Sequence, residues 1–217
     1  MQVKKFSHSC VRVEEAGAVL VIDPGTLSEP LAVEGADAIL YTHEHPDHFD
    51  VRKLVDTLAR RPECQVYAHP AVADQLADLD GAVRRVLPGD RFEAAGFSVR
   101  AFGGLHAEIH PELPRVPNVG YFIEPGGIYH PGDSFDVLAD VEVRTLFVPV
   151  AGTWLKLTDS VDFVRRLAPQ RAVGLHDALL SPAGHEVVTG NMRRLCPCRY
   201  ERSGAGAALG AEPGAAR

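Results

Sequence analysis

Hydrophobic positions along the chain come in two styles. The first is short runs bounded by turn residues. Cys10-Val11-Arg12-Val13-Glu14 alternates loosely, and Ala18-Val19-Leu20-Val21-Ile22 is continuously apolar and stops at Asp23-Pro24-Gly25. Asp37-Ala38-Ile39-Leu40-Tyr41-Thr42 is a third run, leading directly into His43. Runs of this length, closed by turn chemistry, predict strands buried on both faces. The second style begins after residue 50. Val51, Leu54, Val55, Leu58 and Ala59 follow the i, i+3, i+4, i+7, i+8 spacing of an amphipathic helix ending near Arg60-Arg61-Pro62.

The same alternation continues to the end of the chain. A strand is predicted over 65–68, a helix over 71–79, and strands over 83–87, 91–94 and 97–102, with turns at Pro88-Gly89-Asp90 and Ala95-Gly96. Residues 119–124 and 127–130 read as a hairpin about Pro125-Gly126, and 145–150 as a buried strand. Thr158 or Asp159 is the expected cap of a helix with the stripe Val161, Val164, Leu167, Ala168. A last strand, 171–175, ends at His176-Asp177, and a last helix falls between Ser181 and Leu195. Several strands stop at a turn bearing His or Asp. The expectation is an α/β fold with helices packed outside stacked sheets and chemistry on loops along one edge. The domain is placed at 1–200. The Gly- and Ala-rich segment 201–217 has little to bury and is expected to be disordered.

Composition narrows the function classes. Hydrophobic residues make up 46% and charged residues 24% of the 217, an ordinary globular balance. No run approaches the roughly 18 apolar residues of a membrane span. The N-terminus lacks an apolar export core, so a cytoplasmic setting is expected. The four cysteines are then expected to be free thiols, and Cys196-Pro197-Cys198 carries no assigned role. A net charge of -7 opposes binding to a phosphate backbone, so the expected partner is a small molecule rather than a nucleic acid or a membrane. Nothing in the sequence sets the oligomeric state. The count that stands out is 10 histidines.

His43-x-His45-x-Asp47-His48 places four metal-ligand side chains within six positions, between an apolar strand and a helical stripe. His43 and His45, two apart on an extended backbone, project to the same side. Asp47 and His48, expected to start the helix beyond Pro46, approach from another direction. Imidazole and carboxylate together suit zinc, iron or manganese, and two directions of approach suit two ions.

This cluster resembles the H-x-H-x-D-H signature of the metallo-β-lactamase-fold hydrolases, and the resemblance extends well beyond it. His106 in Gly103-Gly104-Leu105-His106, Asp133 in His130-Pro131-Gly132-Asp133-Ser134 and His176 in Gly174-Leu175-His176-Asp177 match the family's later ligands in order. Asp23 in Ile22-Asp23-Pro24-Gly25 matches an early Asp that supports a ligand. His8-Ser9 and the compact length are most similar to the branch containing ascorbate-6-phosphate lactonase-like proteins.

The resemblance implies a four-layer αββα sandwich with two mixed sheets and helices on the outer faces. It also implies a dinuclear centre. His43, His45 and His106 would hold one divalent ion, Asp47, His48 and His176 the other, and Asp133 would bridge them. The metal is expected to be zinc, with manganese or iron as alternatives. His106 is preferred to His110 because it directly follows a strand and a short glycine link. The implied chemistry is attack by a metal-bridging hydroxide on a small ester, lactone or phosphoester. Asp47 and Asp133 would be the catalytic carboxylates, and Asp23 and His130 would stand behind the ligands. His8, His110, Asn118, Trp154 and Lys156 are candidate substrate contacts. The alternatives are a mono-iron or diiron oxidoreductase of the same fold and a non-catalytic metal-binding protein. His rather than Glu at position 45 disfavours the diiron form.

Overall fold

The apolar runs form strands in the computed structural model, which describes residues 1–79, 83–124 and 126–210. One sheet contains β1 (Gln2–Lys5), β2 (Val11–Glu15), β3 (Ala18–Ile22), β4 (Ala38–Tyr41), β5 (Gln65–Ala68), β6 (Val83–Arg85) and β14 (Ala207–Ala208). Its order is β14-β1-β2-β3-β4-β5-β6. The other contains β7 (Arg91–Ala94), β8 (Phe97–Leu105), β9 (Pro117–Glu124), β10 (Ile128–His130), β11 (Thr145–Pro149), β12 (Arg171–Leu175) and β13 (Arg199–Glu201). Its order is β13-β12-β11-β10-β9-β8-β7. Each sheet is mixed. Pairing is antiparallel through β14-β1-β2-β3 and β7-β8-β9-β10, and parallel through β3-β4-β5-β6 and β10-β11-β12-β13.

Burial defines the layers. Val13, Leu20, Leu40, Val99, Tyr121, Phe147 and Val173 fill the space between the sheets. On the outside of the first sheet, Val21, Ile39 and Tyr41 pack against Leu54 of α1 (Val51–Arg60) and Val72 of α2 (Pro70–Ala73). On the outside of the second, Leu146, Val148 and Ala172 pack against Val161 and Val164 of α3 (Leu157–Leu167) and Met192 of α4 (Pro182–Leu195). Strands buried on both faces require this cover, so the chain folds as an αββα sandwich. No helix among the described residues is long and apolar enough to cross a membrane.

Several local expectations need correction. Asp50 caps α1, accepting the Lys53 N–H at 3.1 Å, so Asp47 and His48 lie in the preceding turn and not in the helix. The cap of α3 is Lys156, whose N–H is accepted by Asp159 at 2.9 Å. After Asp74 the second helix continues as a 3-10 turn to Leu79, irregular at Leu76. β8 runs on to Leu105, beyond the expected end at Phe102. Strand β1 carries Lys5 into the interior, where a charged residue masks the strand pattern; its Nζ bonds Asp177 Oδ1 at 2.8 Å. The low-complexity segment is ordered as far as it is described. Ala207 and Ala208 pair with Lys5 and Lys4, and Leu209 packs on the inter-sheet core. Small residues there let the backbone close an exposed sheet edge. Pro125 of the expected hairpin turn and residues 211–217 of the expected tail lie outside the described residues.

The topology decides where chemistry can sit. The ends of β1, β3, β4, β8, β10 and β12 all reach one edge of the sandwich, delivering His8, Asp23, the His43–His48 turn, His106, Asp133 and His176. The turn is held there by backbone contact. Thr26 N–H donates to Pro46 O at 2.8 Å, and Gly25 packs so closely that a Cβ on it would overlap the Asp47 carbonyl. A side chain at 25 must therefore displace the turn that carries four of the ligand candidates. Gly25→Ala is expected to cost about 1–3 kcal/mol of stability by overpacking and to weaken metal uptake, measured by denaturant unfolding and metal titration. Unchanged values for both would show that this contact does not position the turn.

Candidate functional site

The site is built backward from Asp23. Its backbone sits at φ 49°, in the left-handed region that is unfavourable outside glycine, and its side chain is fully buried. Asp23 Oδ1 accepts the Thr42 N–H at 2.8 Å, and Oδ2 accepts the Thr42 hydroxyl at 2.6 Å and the His48 Nδ1–H at 2.7 Å. With its proton committed to Asp23, the Thr42 hydroxyl oxygen accepts from His43 Nδ1 at 3.0 Å. His106 Nδ1–H donates to the Ala107 carbonyl at 2.6 Å. Three imidazoles thus carry their proton on the outward nitrogen. With a metal bound, each would turn the lone pair of Nε2 inward, which is the tautomer a metal ligand needs.

The inward Nε2 atoms converge on Asp133. His176 Nε2 lies 3.1 Å and His106 Nε2 3.2 Å from Asp133 Oδ2, while His48 Nε2 lies 3.2 Å from Oδ1. His43 Nε2 is 3.9 Å from Oδ2 and 3.1 Å from His45 Nδ1. Asp133 is held from behind. Its N–H donates to Asn118 Oδ1 at 3.0 Å, Asn118 Nδ2 donates to the Pro131 carbonyl at 2.9 Å, and Gly132 N–H donates to His130 Nδ1 at 3.2 Å. The donor atoms fall into two sets, His43, His45, His106 and Asp133 in one, and His8, Asp47, His48 and His176 in the other; within each set all lie within 4.8 Å of one another.

His8 is the surprise of the second set. It is fully buried at φ 62°, so it does not reach a substrate as expected. Its Nδ1 accepts the Ala178 N–H at 3.4 Å, which leaves the proton on Nε2, donated to Asp47 Oδ2 at 2.9 Å. This is the opposite tautomer to that of His43, His48 and His106. His8 therefore orients Asp47 rather than offering a lone pair. Its carbonyl accepts the N–H of His176, itself at φ 57°.

The other sequence candidates divide clearly. Asn118 is buried behind Asp133 and cannot meet substrate. His130 is buried too, donating from Nε2 to the Ser9 carbonyl at 2.8 Å. His110 is exposed on the loop after β8, outside both donor sets, so His106 is the member of the pair at the centre. Trp154 stands at the wall, its ring centroid 5.3 Å from that of His106 and 5.6 Å from that of His176. Lys156 is exposed at the start of α3. Sequence reasoning missed Thr42 and Arg115, whose Nε donates to the His106 carbonyl at 2.7 Å. Thr42 could have been flagged by its place between an apolar strand and His43; Arg115 has no sequence signal.

Electrostatics follows from burial and pairing. Burial pushes His43 well below the ordinary imidazole range, so it is neutral. Burial acts the same way on His48, but the carboxylates of Asp133 and Asp23 outweigh it and hold His48 well above that range. His176 is pushed up to about 9, burial again being outweighed, chiefly by Asp133. For Asp133, burial opposes ionisation but His48 and His176 keep it ionised. The groups fit metal ions. Asp133 Oδ1 and His106 Nε2 are buried without a hydrogen-bond partner, and the three imidazoles fixed through Nδ1 aim Nε2 at the same space. His43, His45, His106 and Asp133 would hold one ion, and Asp47, His48 and His176 with Asp133 a second.

The chain is similar to known proteins over most of its length. Residues 2–176 match the family model described as the beta-lactamase superfamily domain. Protein Rv0786c of Mycobacterium tuberculosis is 38% identical over 206 residues, covering 93% of this chain and 95% of its own. A UPF0173 metal-dependent hydrolase of Thermus thermophilus is 25% identical, covering 81% of this chain and 83% of its own. Among solved structures, Igni18, a metallo hydrolase from Ignicoccus hospitalis, superposes with a TM-score of 0.74 at 16% identity, over 96% of this chain and 97% of its own.

Two outcomes follow from the protonation pattern. Asp23→Asn should weaken metal affinity about 10–100-fold, because it disturbs the partners that fix the tautomers of His43 and His48. Isothermal titration with zinc checks this, and unaltered affinity would remove Asp23 from the role. The second outcome concerns pH. His176 titrates at 6.5 when unperturbed and about 9 when folded, so the folded metal-free chain holds a proton that the unfolded chain loses between these values. The resulting stability is complete below 6.5 and lost as pH rises through 9. The melting temperature of the chelator-treated chain should fall over that window, while zinc affinity rises because zinc must displace those protons. A melting temperature and affinity both flat with pH would contradict the assignment.

Proposed function

Because this chain belongs to the beta-lactamase superfamily, in its metallo-β-lactamase-fold family of metal-dependent hydrolases, we propose that it hydrolyses a small ester, lactone or phosphoester with two divalent ions, zinc by preference. One observation carries the reading. Asp133 is a buried carboxylate within 3.2 Å of His48, His106 and His176, so it touches both donor sets at once. The sets are rich in imidazole and poor in carboxylate, which favours zinc over hard oxygen-preferring cations.

When bound, such ions supply a water that ionises near neutral pH and positive charge against the oxygen that becomes negative. The rest is done by the chain. Asp133 keeps both donor sets at a fixed separation and brings its own negative charge between them. Asp47 is the more exposed of the two carboxylates, its side chain 28% accessible against 1% for Asp133. His8 fixes its Oδ2, which positions the carboxylate to orient the attacking water and accept its proton. Trp154, packed edge-on to His106 and His176 and against Phe135, excludes solvent on one side. No serine or cysteine nucleophile is required. The acidic chain, at -7, favours a small substrate over a nucleic acid.

The test is metal content and turnover measured together. The zinc-loaded chain should hold two equivalents by mass spectrometry and hydrolyse members of a panel of esters, lactones and phosphodiesters. Asp133→Ala and His45→Ala should lose metal and activity while remaining folded. Full activity in metal-free Asp133→Ala, or native iron with oxygen consumption, would contradict the proposal.

A further inference from the structure

A cavity lies outside the metal centre, where the end of β1 meets the loop after β12. Its volume is about 140 Å³ and it opens to solvent. Of the residues in the two donor sets, only His8 is in its wall. Lys5 and Ser7 line it from the end of β1, Asp177 and Ala178 from the loop after β12, His185 from α4, and Arg202 with residues 203–205 from the segment after β13. That last segment begins the stretch whose composition suggests a disordered tail. Gly206 N–H to Lys5 O at 2.7 Å, and the pairing of β14 with β1, hold it beside Lys5. Gly204 and Ala205 carry little side-chain bulk, so they close the cavity without filling it.

The charges in this wall run against those of the whole chain. The protein has 29 acidic and 22 basic residues, but the wall has two permanent cations, Lys5 and Arg202, and one carboxylate, Asp177. Lys5 is 1% exposed. Its Nζ donates to Asp177 Oδ1 at 2.8 Å and to the Phe6 carbonyl at 3.1 Å, which leaves one of its three N–H groups uncommitted among the described residues. Lys5 and Asp177 cancel, so Arg202 sets the sign, and it has no carboxylate partner among the described residues. Burial holds the His185 imidazole below its ordinary range, and Arg202 and Lys5 push it the same way, against Asp177.

From the cavity, its cationic wall and the spare donor we infer that this is a binding site for a phosphate group, free or carried by a small molecule. Lys5, His185 and Arg202 offer N–H groups from three separate segments, which suits a tetrahedral ion better than a planar carboxylate. Charge-assisted N–H···O bonds of this kind are the strong ones. Roughly 10–15 Å³ of free space holds one water, so the cavity takes a tetrahedral oxyanion with several waters. The site does not depend on the hydrolase reading. Its occupant lies against His8 and Ala178, whose hydrogen bond at 3.4 Å fixes the tautomer that His8 presents to Asp47.

The test reads binding and not turnover. Inorganic phosphate and glycerol phosphate are titrated separately into the purified full chain, and NMR follows the amides of Ala178, Gly204 and Ala205 and the ring of His185. Sodium chloride at matched ionic strength is the control. Phosphate held at the metal centre moves the neighbours of His45 and His106 instead, so the two locations are read apart. The cavity signals should shift and saturate with at least one probe, and the His185 ring should titrate at higher pH once the anion is bound. Tighter binding of glycerol phosphate identifies a phosphorylated small molecule as the ligand, and tighter binding of phosphate the free ion. Arg202→Gln, at an exposed position, and His185→Gln should each weaken this binding about tenfold with the melting temperature unchanged, while Arg202→Lys keeps most of it. Shifts no larger than those in chloride, shifts confined to the metal centre, or binding as tight in both glutamine variants as in the parent would overturn the inference.

Discussion

The Asp133 carboxylate is the constraint on which the rest of the structure depends. A carboxylate removed from water costs several kcal/mol unless positive charge or hydrogen-bond donors replace the lost solvation. Here the compensation comes from imidazoles on three separate loops. His43 and His48 follow β4 of one sheet, while His106 and His176 follow β8 and β12 of the other. Neither sheet could stabilise Asp133 alone. The site therefore exists only when the two sheet edges are in register, and bonds such as Tyr121 Oη–H to Tyr41 O at 2.8 Å and Val119 N–H to Thr42 O at 2.9 Å fix that register just beneath it.

Around this charge, the chain spends stability to preorganise its donors. His8, Asp23 and His176 all adopt positive φ, which in non-glycine residues is retained only where surrounding structure imposes it. Each is imposed by identifiable contacts. Asp23 is held by Thr42 and His48, His176 by the His8 carbonyl, and His8 by Asp47 and Ala178. The buried Lys5–Asp177 pair anchors the residue next to His176. The consequence is control over tautomers. His43, His48 and His106 aim Nε2 at the centre, where a bound metal would find their lone pairs, and His8 presents a proton to Asp47. Identical side chains play two roles because their outward nitrogens meet different partners.

How much of this could be read from the sequence depends on the range of the interaction. The sandwich was legible because strands buried on both faces leave continuous apolar runs, and α1 leaves a clean stripe. The cluster at His43–His48 was legible because its spacing is local. His106, Asp133 and His176 were placed through a family resemblance together with their strand-end positions. What escaped was long-range. His8 and Asn118 look like any polar residues near a site, and only the fold shows that both are buried supports. Lys5 hid β1 because its charge is neutralised by a residue 172 positions away. The small residues of 203–210 resemble a disordered tail because their anchoring lies in backbone pairing with β1, which composition does not record.

The central claim is that one carboxylate joins two metal sites. The most direct measurement is anomalous diffraction at the zinc edge from crystals of the zinc-loaded chain. The account predicts two peaks flanking Asp133, one among His43, His45 and His106 and the other among Asp47, His48 and His176, with His8 contacting Asp47 and not the metal. A single peak, or a second peak that does not touch Asp133, would contradict it.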